Sequence, residues 1–146
     1  MQSRATERGY IIRLKRGEKV VENLTSFCKE KNIQGGLFTA IGAVGEAEVG
    51  YYDFEQRKYF SKKHEGDLEV VSMSGNISVA DGTPIIHPHI VLSKGVEGIC
   101  IGGHLDEAVV SLTLEIFLEV LKESLERRQD KETGLKLLQL YPPNFL

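Results

Sequence analysis

Tyr10, Ile12 and Leu14 alternate with Ile11, Arg13 and Lys15, and this period of two predicts a first strand ending near Gly17. The period then lengthens. In "EKVVENLTSFCKEKN" the apolar residues Val20, Val21, Leu24, Phe27 and Cys28 recur at helical spacing with charges opposite, and Asn32 supplies the stop. From "GGLFTAIGAVGEAEVGYYDF" onward, glycines alternate at short range with β-branched and aromatic residues, which predicts strands interrupted by turns or bulges. "RKYFSKK" and "LEVVSMSGNISV" continue that pattern. Over residues 109–121, Leu112, Leu114, Ile116, Leu118 and Val120 alternate with Ser111, Thr113, Glu115, Phe117 and Glu119, so period two predicts a strand. The tail reads as a charged turn, a short apolar segment and a Pro-Pro stop. One helix against about seven strands predicts an α+β single domain built on a mostly antiparallel β-sheet.

Composition narrows the function classes. A chain of 146 residues, 41% hydrophobic, suits one core and gives no reason for a second domain. It has no apolar run of membrane-spanning length, and "MQSRATERGY" lacks the apolar core of a signal peptide, so a cytoplasmic protein without a membrane partner is expected. Cys28 and Cys100 are far apart and form no Cys-x-x-Cys pair, which makes both candidates for buried small hydrophobes. Net charge is −3, from 18 Lys and Arg against 21 Asp and Glu, which argues against tight DNA binding. The basic clusters at 13–19 and 57–64 alternate with apolar residues as the solvent face of a strand does.

Candidate chemistry concentrates in "IIHPHIVLSKGVEGICIGGH", which holds three of the four histidines. On a strand, His87 and His89 project to one face with Cα atoms about 6.5–7 Å apart. If "KGVE" forms a hairpin with Lys94 facing Glu97, His87 falls opposite His104 and His89 opposite Gly102, and three imidazoles converge on one face. A one-residue slip would send His104 to the other face. Gly102 and Gly103 would leave room for an ion, and Pro88 fits a sheet edge. Three histidine ligands suit zinc and leave a position open for a small-molecule ligand or a carboxylate. Glu46, Glu48, Asp53, Asp106 and Glu107 are the candidate carboxylates, whether as ligand, outer partner or general base. His64, amid charges, reads as a surface residue. A cupin-type site is disfavoured, because its glutamate would fall at Ser93 or Lys94.

The stretch "GDLEVVSMSGNISVADGTPIIHPHIVLSKGVEGICIGGHL", preceded by "GLFTAIGAVGEAEVGYYD", resembles the plants-and-prokaryotes conserved (PPC) domain in its free-standing prokaryotic form, over about residues 8–140. The resemblance implies an antiparallel sheet flanked by helices, a homotrimer, and a metal held by His87, His89 and His104. It also implies a DNA-binding alternative. In plant relatives an AT-hook with an Arg-Gly-Arg-Pro core reads the A·T minor groove, whereas here Arg8-Gly9 and Arg16-Gly17 lack the following Arg-Pro. Asp67 stands where the plant stretch Gly-Arg-Phe-Glu-Ile-Leu has its arginine. The function expected is therefore a homotrimeric metal-binding protein. As an enzyme it would be a metal-dependent hydrolase or lyase using metal-bound water; DNA-associated regulation and partner recruitment are the alternatives.

Overall fold

A computed structural model describes residues 1–96 and 98–140. The chain runs β1 (Gln2–Ala5), β2 (Gly9–Lys15), α1 (Val20–Glu30), β3 (Gly36–Asp53), β4 (Lys58–Ala80), β5 (Thr83–Lys94), β6 (Ile99–Val120), β7 (Arg127–Gln129) and β8 (Lys136–Leu138). All pairings between named strands are antiparallel. Six strands form the main sheet in the order β1-β2-β6-β3-β4-β5, and β5 also pairs with β6, so β3, β4, β5 and β6 close on themselves like a small barrel. β7 and β8 make a separate hairpin. The expected helical flanks reduce to one helix among the described residues.

The segments that read as several short strands are three long ones. Glycine and bulges bend them instead of ending them. In β3 the register with β4 slips between Ala40 and Gly42 and again between Val44 and Glu46. Gly42, at φ 148°, sits so close to β6 that an added Cβ would lie 2.1 Å from the Thr113 carbonyl oxygen. Only glycine allows that approach.

Inside the closed sheet lie Phe38, Val44, Leu68, Met73, Ile77, Leu92, Leu105, Leu114 and Ile116, with Leu24 and Phe27 of α1 against them. The alternation over 114–118 buries Leu114, Ile116 and Leu118, as expected. Leu112 departs from it. This side chain is exposed where the β3–β6 register jumps from Gly42↔Leu114 to Val44↔Val110.

The helix buries Val20, Leu24, Phe27 and Cys28 and ends at Glu30, just before Asn32, whose φ of 53° is the left-handed conformation of a helix stop. Cys28 behaves as the buried hydrophobe expected, with its thiol pushed up to about 12 by burial. Cys100 does not, for it is exposed on β6.

Two elements lie outside the predicted strands. Gln2–Ala5, three polar residues and an alanine, forms an edge strand on β2, where all four side chains are exposed. Residues 127–138 form the β7–β8 hairpin. The Pro-Pro pair at 142–143 and Glu97 lie outside the described residues.

Candidate metal centre

β6 exchanges neighbours along its length, and this positions the site. Residues 99–104 pair with β5, whereas 113–119 pair with β2 on the same flank. Between them the N-terminus of α1 docks. The Val110 amide donates to the Glu18 carbonyl at 3.0 Å, and the Gly17 amide donates to the Val110 carbonyl at 2.8 Å. Lys19 at the N-cap offers no side-chain cap. Glu107 of β6 does so instead, its carboxylate accepting from the amides of Val21 at 2.8 Å and Glu22 at 3.1 Å.

β5 and β6 part company at the histidines. Their last pair is His89↔His104, and the preceding residues of β5, including His87 and Pro88, keep only β4 as a partner. Pro88 therefore sits on a locally free edge, in line with its missing amide proton. The register is shifted by two residues from the one predicted. Lys94 lies opposite Ile99, so His104 faces His89 and Gly102 faces Val91. A shift of two preserves the face. All three imidazoles still converge, with ring centroids 5.2–5.6 Å apart.

Each histidine presents one ring nitrogen, all three within 4.8 Å of one another. Nitrogens around a tetrahedral zinc stand about 3.4 Å apart, so small side-chain rotations suffice. The Nδ1 atom of His104 is buried and has no hydrogen-bond partner, an expensive state unless something supplies a positive centre or a donor. Its Nε2 lies 3.7 Å from Asp106 Oδ1, beyond hydrogen-bond distance but on the side from which a carboxylate would orient a metal-bound imidazole after a small approach. Of the five candidate carboxylates only Asp106 approaches the cluster. Glu107 caps α1, Glu46 pairs with Lys63 at 2.9 Å, Glu48 accepts from the Ser61 hydroxyl, and Asp53 accepts from the Gln56 amide in the turn after β3.

Burial favours the neutral form, which a metal requires, at His87 and His104. Desolvation, reinforced by the Arg127 charge and the other two histidines, lowers His87 to about 4. Desolvation also lowers His104, against an opposing pull from Asp106. His64 lies outside the cluster.

The cluster opens into a cavity of about 540 Å³ walled by Tyr51, Tyr52, Tyr59, Ile85, Leu135 and Leu137. Gly103 lines it too, but its role is close packing more than vacant space: an added Cβ would lie 2.6 Å from the Gly50 carbonyl oxygen of β3.

Two features of the site escaped the sequence reading. The Tyr59 ring lies 5.4 Å from that of His104. Arg127 of β7 enters from the C-terminal hairpin, its Nη2 3.0 Å from His87 Nδ1. Its Nε donates to Ser78 Oγ at 2.7 Å, its Nη2 to Asn76 Oδ1 at 2.9 Å and its Nη1 to the Lys136 carbonyl at 2.9 Å. Nothing local marks the first arginine of "RRQDKETG"; the signal lies in Asn76, which pairs with His87 across the β4–β5 ladder.

No helix among the described residues is long and apolar enough to cross a membrane. No curated protein matches the chain. Several solved structures do. A metal-containing protein of Archaeoglobus fulgidus is 38% identical over 95% of this chain and 99% of its own, with a TM-score of 0.82. A plant- and prokaryote-conserved (PPC) protein of Pyrococcus horikoshii is 35% identical, covering 91% and 92%, with a TM-score of 0.83. A protein of Ralstonia eutropha JMP134, provisionally described as DNA-binding, is 31% identical over 95% and 96%, with a TM-score of 0.89. The model of the Plants and Prokaryotes Conserved (PCC) domain matches residues 1–122, most of the chain, and the protein belongs to that family.

Proposed function

We propose that the protein binds one divalent transition metal per chain, zinc being the best match, through His87, His89 and His104, and presents it to a small-molecule ligand in the adjoining cavity. The observation that carries this reading is the buried, partnerless Nδ1 of His104 beside two further imidazoles. The metal-containing relative from Archaeoglobus fulgidus supports it. Three protein donors leave a coordination position open, unlike the four that close a structural zinc site. When bound, such a metal supplies Lewis-acid chemistry, which suits hydrolysis or elimination. The chain's own part is to hold three imidazoles on one face, to place Asp106 beside His104 and to line the cavity with tyrosines. Elemental analysis of purified protein tests the reading: about one zinc per chain is expected, and its absence after incubation with excess zinc refutes it.

Assembly as a homotrimer belongs to the same proposal. Ile11, Leu37, Ile41 and Phe117 stand exposed on β2, β3 and β6, and Ile11 faces Phe117 directly across the ladder. Such apolar groups on one sheet mark an interface. Light scattering at micromolar concentration should give three times the chain mass; a monomer refutes the trimer.

DNA association is the second reading, favoured by the description of the Ralstonia eutropha relative. The net charge of −3 opposes it. Duplex binding at physiological salt should be no tighter than about 10⁻⁴–10⁻⁶ M, the nonspecific range. Sequence-selective nanomolar binding would make DNA the primary partner.

A further inference from the structure

Arg127 is a half-buried cation whose contacts are all neutral. Its hydrogen bonds go to a serine hydroxyl, an asparagine carbonyl oxygen, a backbone carbonyl and an imidazole, and no carboxylate among the described residues lies within ion-pair distance of it. Burial without a counter-ion destabilises the charged form. The lining of the cavity sharpens the imbalance: it contains Arg127, Lys136 and three histidines but no Asp or Glu. Lys136 is already paired, with Asp81 at 2.8 Å. Arg127 is therefore the cation in that wall left without an acidic partner.

The chemistry of His87 adds a second constraint. A guanidinium only donates, so the contact at 3.0 Å places Arg127 on the Nδ1 lone pair of His87. A neutral imidazole has one such lone pair. With Nδ1 accepting, Nε2 carries the proton, and neither nitrogen is left to ligate. Metal binding through His87 and the Arg127–His87 hydrogen bond are thus mutually exclusive. When His87 turns its lone pair to a metal, one N–H of Arg127 Nη2 is released at the cavity wall. The second N–H of Nη1 has no acceptor among the described residues in the first place.

We propose that Arg127 anchors a small carboxylate ligand in the cavity, using the N–H groups that His87 gives up and Nη1 leaves unspent; this rests on the reading of His87, His89 and His104 as a metal site. A carboxylate matches the planar donor fork of a guanidinium and supplies the missing negative charge. The body of the ligand is apolar, because Ile85, Leu135, Leu137 and Tyr51 supply most of the remaining wall. A cavity of about 540 Å³ falls in the range that encloses a small organic molecule. Leu135 and Leu137, like Arg127, come from the β7–β8 hairpin, beyond residue 122 where the family match ends.

The test is calorimetric titration of full-length zinc-loaded protein with phenylacetate, phenylacetamide and inorganic phosphate, repeated on Arg127→Gln and Arg127→Lys, with zinc content measured throughout. Phenylacetate should bind wild type at least about tenfold more tightly than the neutral amide, and R127Q should lose about as much, the scale of one charge-assisted hydrogen bond. R127K keeps the charge and should lose less. Zinc content should be the same in all three proteins. Equal affinity for acid and amide overturns the anchor, as does unchanged binding in R127Q; tighter binding of phosphate than of phenylacetate overturns the carboxylate class. If R127Q does not fold, the acid–amide comparison on wild type and R127K decides. Zinc uptake without phenylacetate binding sinks the anchor and leaves the metal reading standing. Arg127-dependent phenylacetate binding without zinc uptake does the reverse.

Discussion

The two ends of β6 use opposite faces of the sheet and build opposite things. Around Leu114, Ile116 and Leu118 the strand has β2 on one flank and β3 on the other, and its inward side chains fill a dry core. At His104 it still has β3, through Gly50, but β5 is about to leave it. Where both flanks stay paired, inward positions are closed over by neighbours and only apolar residues suit them. At the histidines the core side is held by their strand neighbours Ile86, Ile90 and Leu105, and the imidazoles project from the opposite face into the cavity that Arg127, Leu135 and Leu137 of the β7–β8 hairpin help to line. The site lies where β5 and β6 diverge and the β7–β8 hairpin meets their outer face.

That contrast can be broken from its core side first. Leu114→Ala should cost about 2–5 kcal/mol in urea unfolding, since Leu114 is fully buried, while leaving zinc stoichiometry intact in the folded protein. A loss under about 1 kcal/mol would mean the two halves differ less than claimed. Between the halves, Glu107→Ala removes the cap of α1 and should cost about 0.5–2 kcal/mol, read as a lower denaturation midpoint and less helical dichroism. On the site side, His104→Ala in metal-free protein should cost about 1 kcal/mol or less, because removing the partnerless Nδ1 offsets the lost packing. The same change should abolish stabilisation by zinc.

The smallest effect is a pH dependence of the metal-free protein. His87 and His104 hold protons less well when folded than their unfolded counterparts, whose pKa is near 6.5. The unfolded chain therefore binds more protons as pH falls, so this stability is complete above about 6.5 and declines from there towards about 4, the His87 value. His87→Gln should flatten the decline; an unchanged slope in thermal melts from pH 7 to 4 removes His87 from the account.

Much of this was legible from the chain because period and parity are local. Helix α1, its stop at Asn32 and the buried run 114–118 follow from side-chain spacing alone. The shared face of the three histidines survived a wrong hairpin register because the error was two residues, and strand faces repeat every two. Long-range partners were not legible. Gln2–Ala5 has no apolar alternation and forms a strand only because β2 offers an edge. Glu107 looked like a site carboxylate, but docking of α1 between two strand pairings makes it a cap. Arg127 reaches His87 across 40 residues of sequence, through a hairpin whose placement depends on contacts such as the Tyr52 hydroxyl with the Thr133 carbonyl.

The most direct test of the metal site is zinc titration of chelator-stripped protein, wild type beside His89→Ala and His104→Ala, followed by competition with a chromogenic chelator. A three-histidine centre predicts a break at about one zinc per chain, a thermal shift that saturates there, and loss of both in each variant. No break in the wild type, or the same break in both variants, would contradict it.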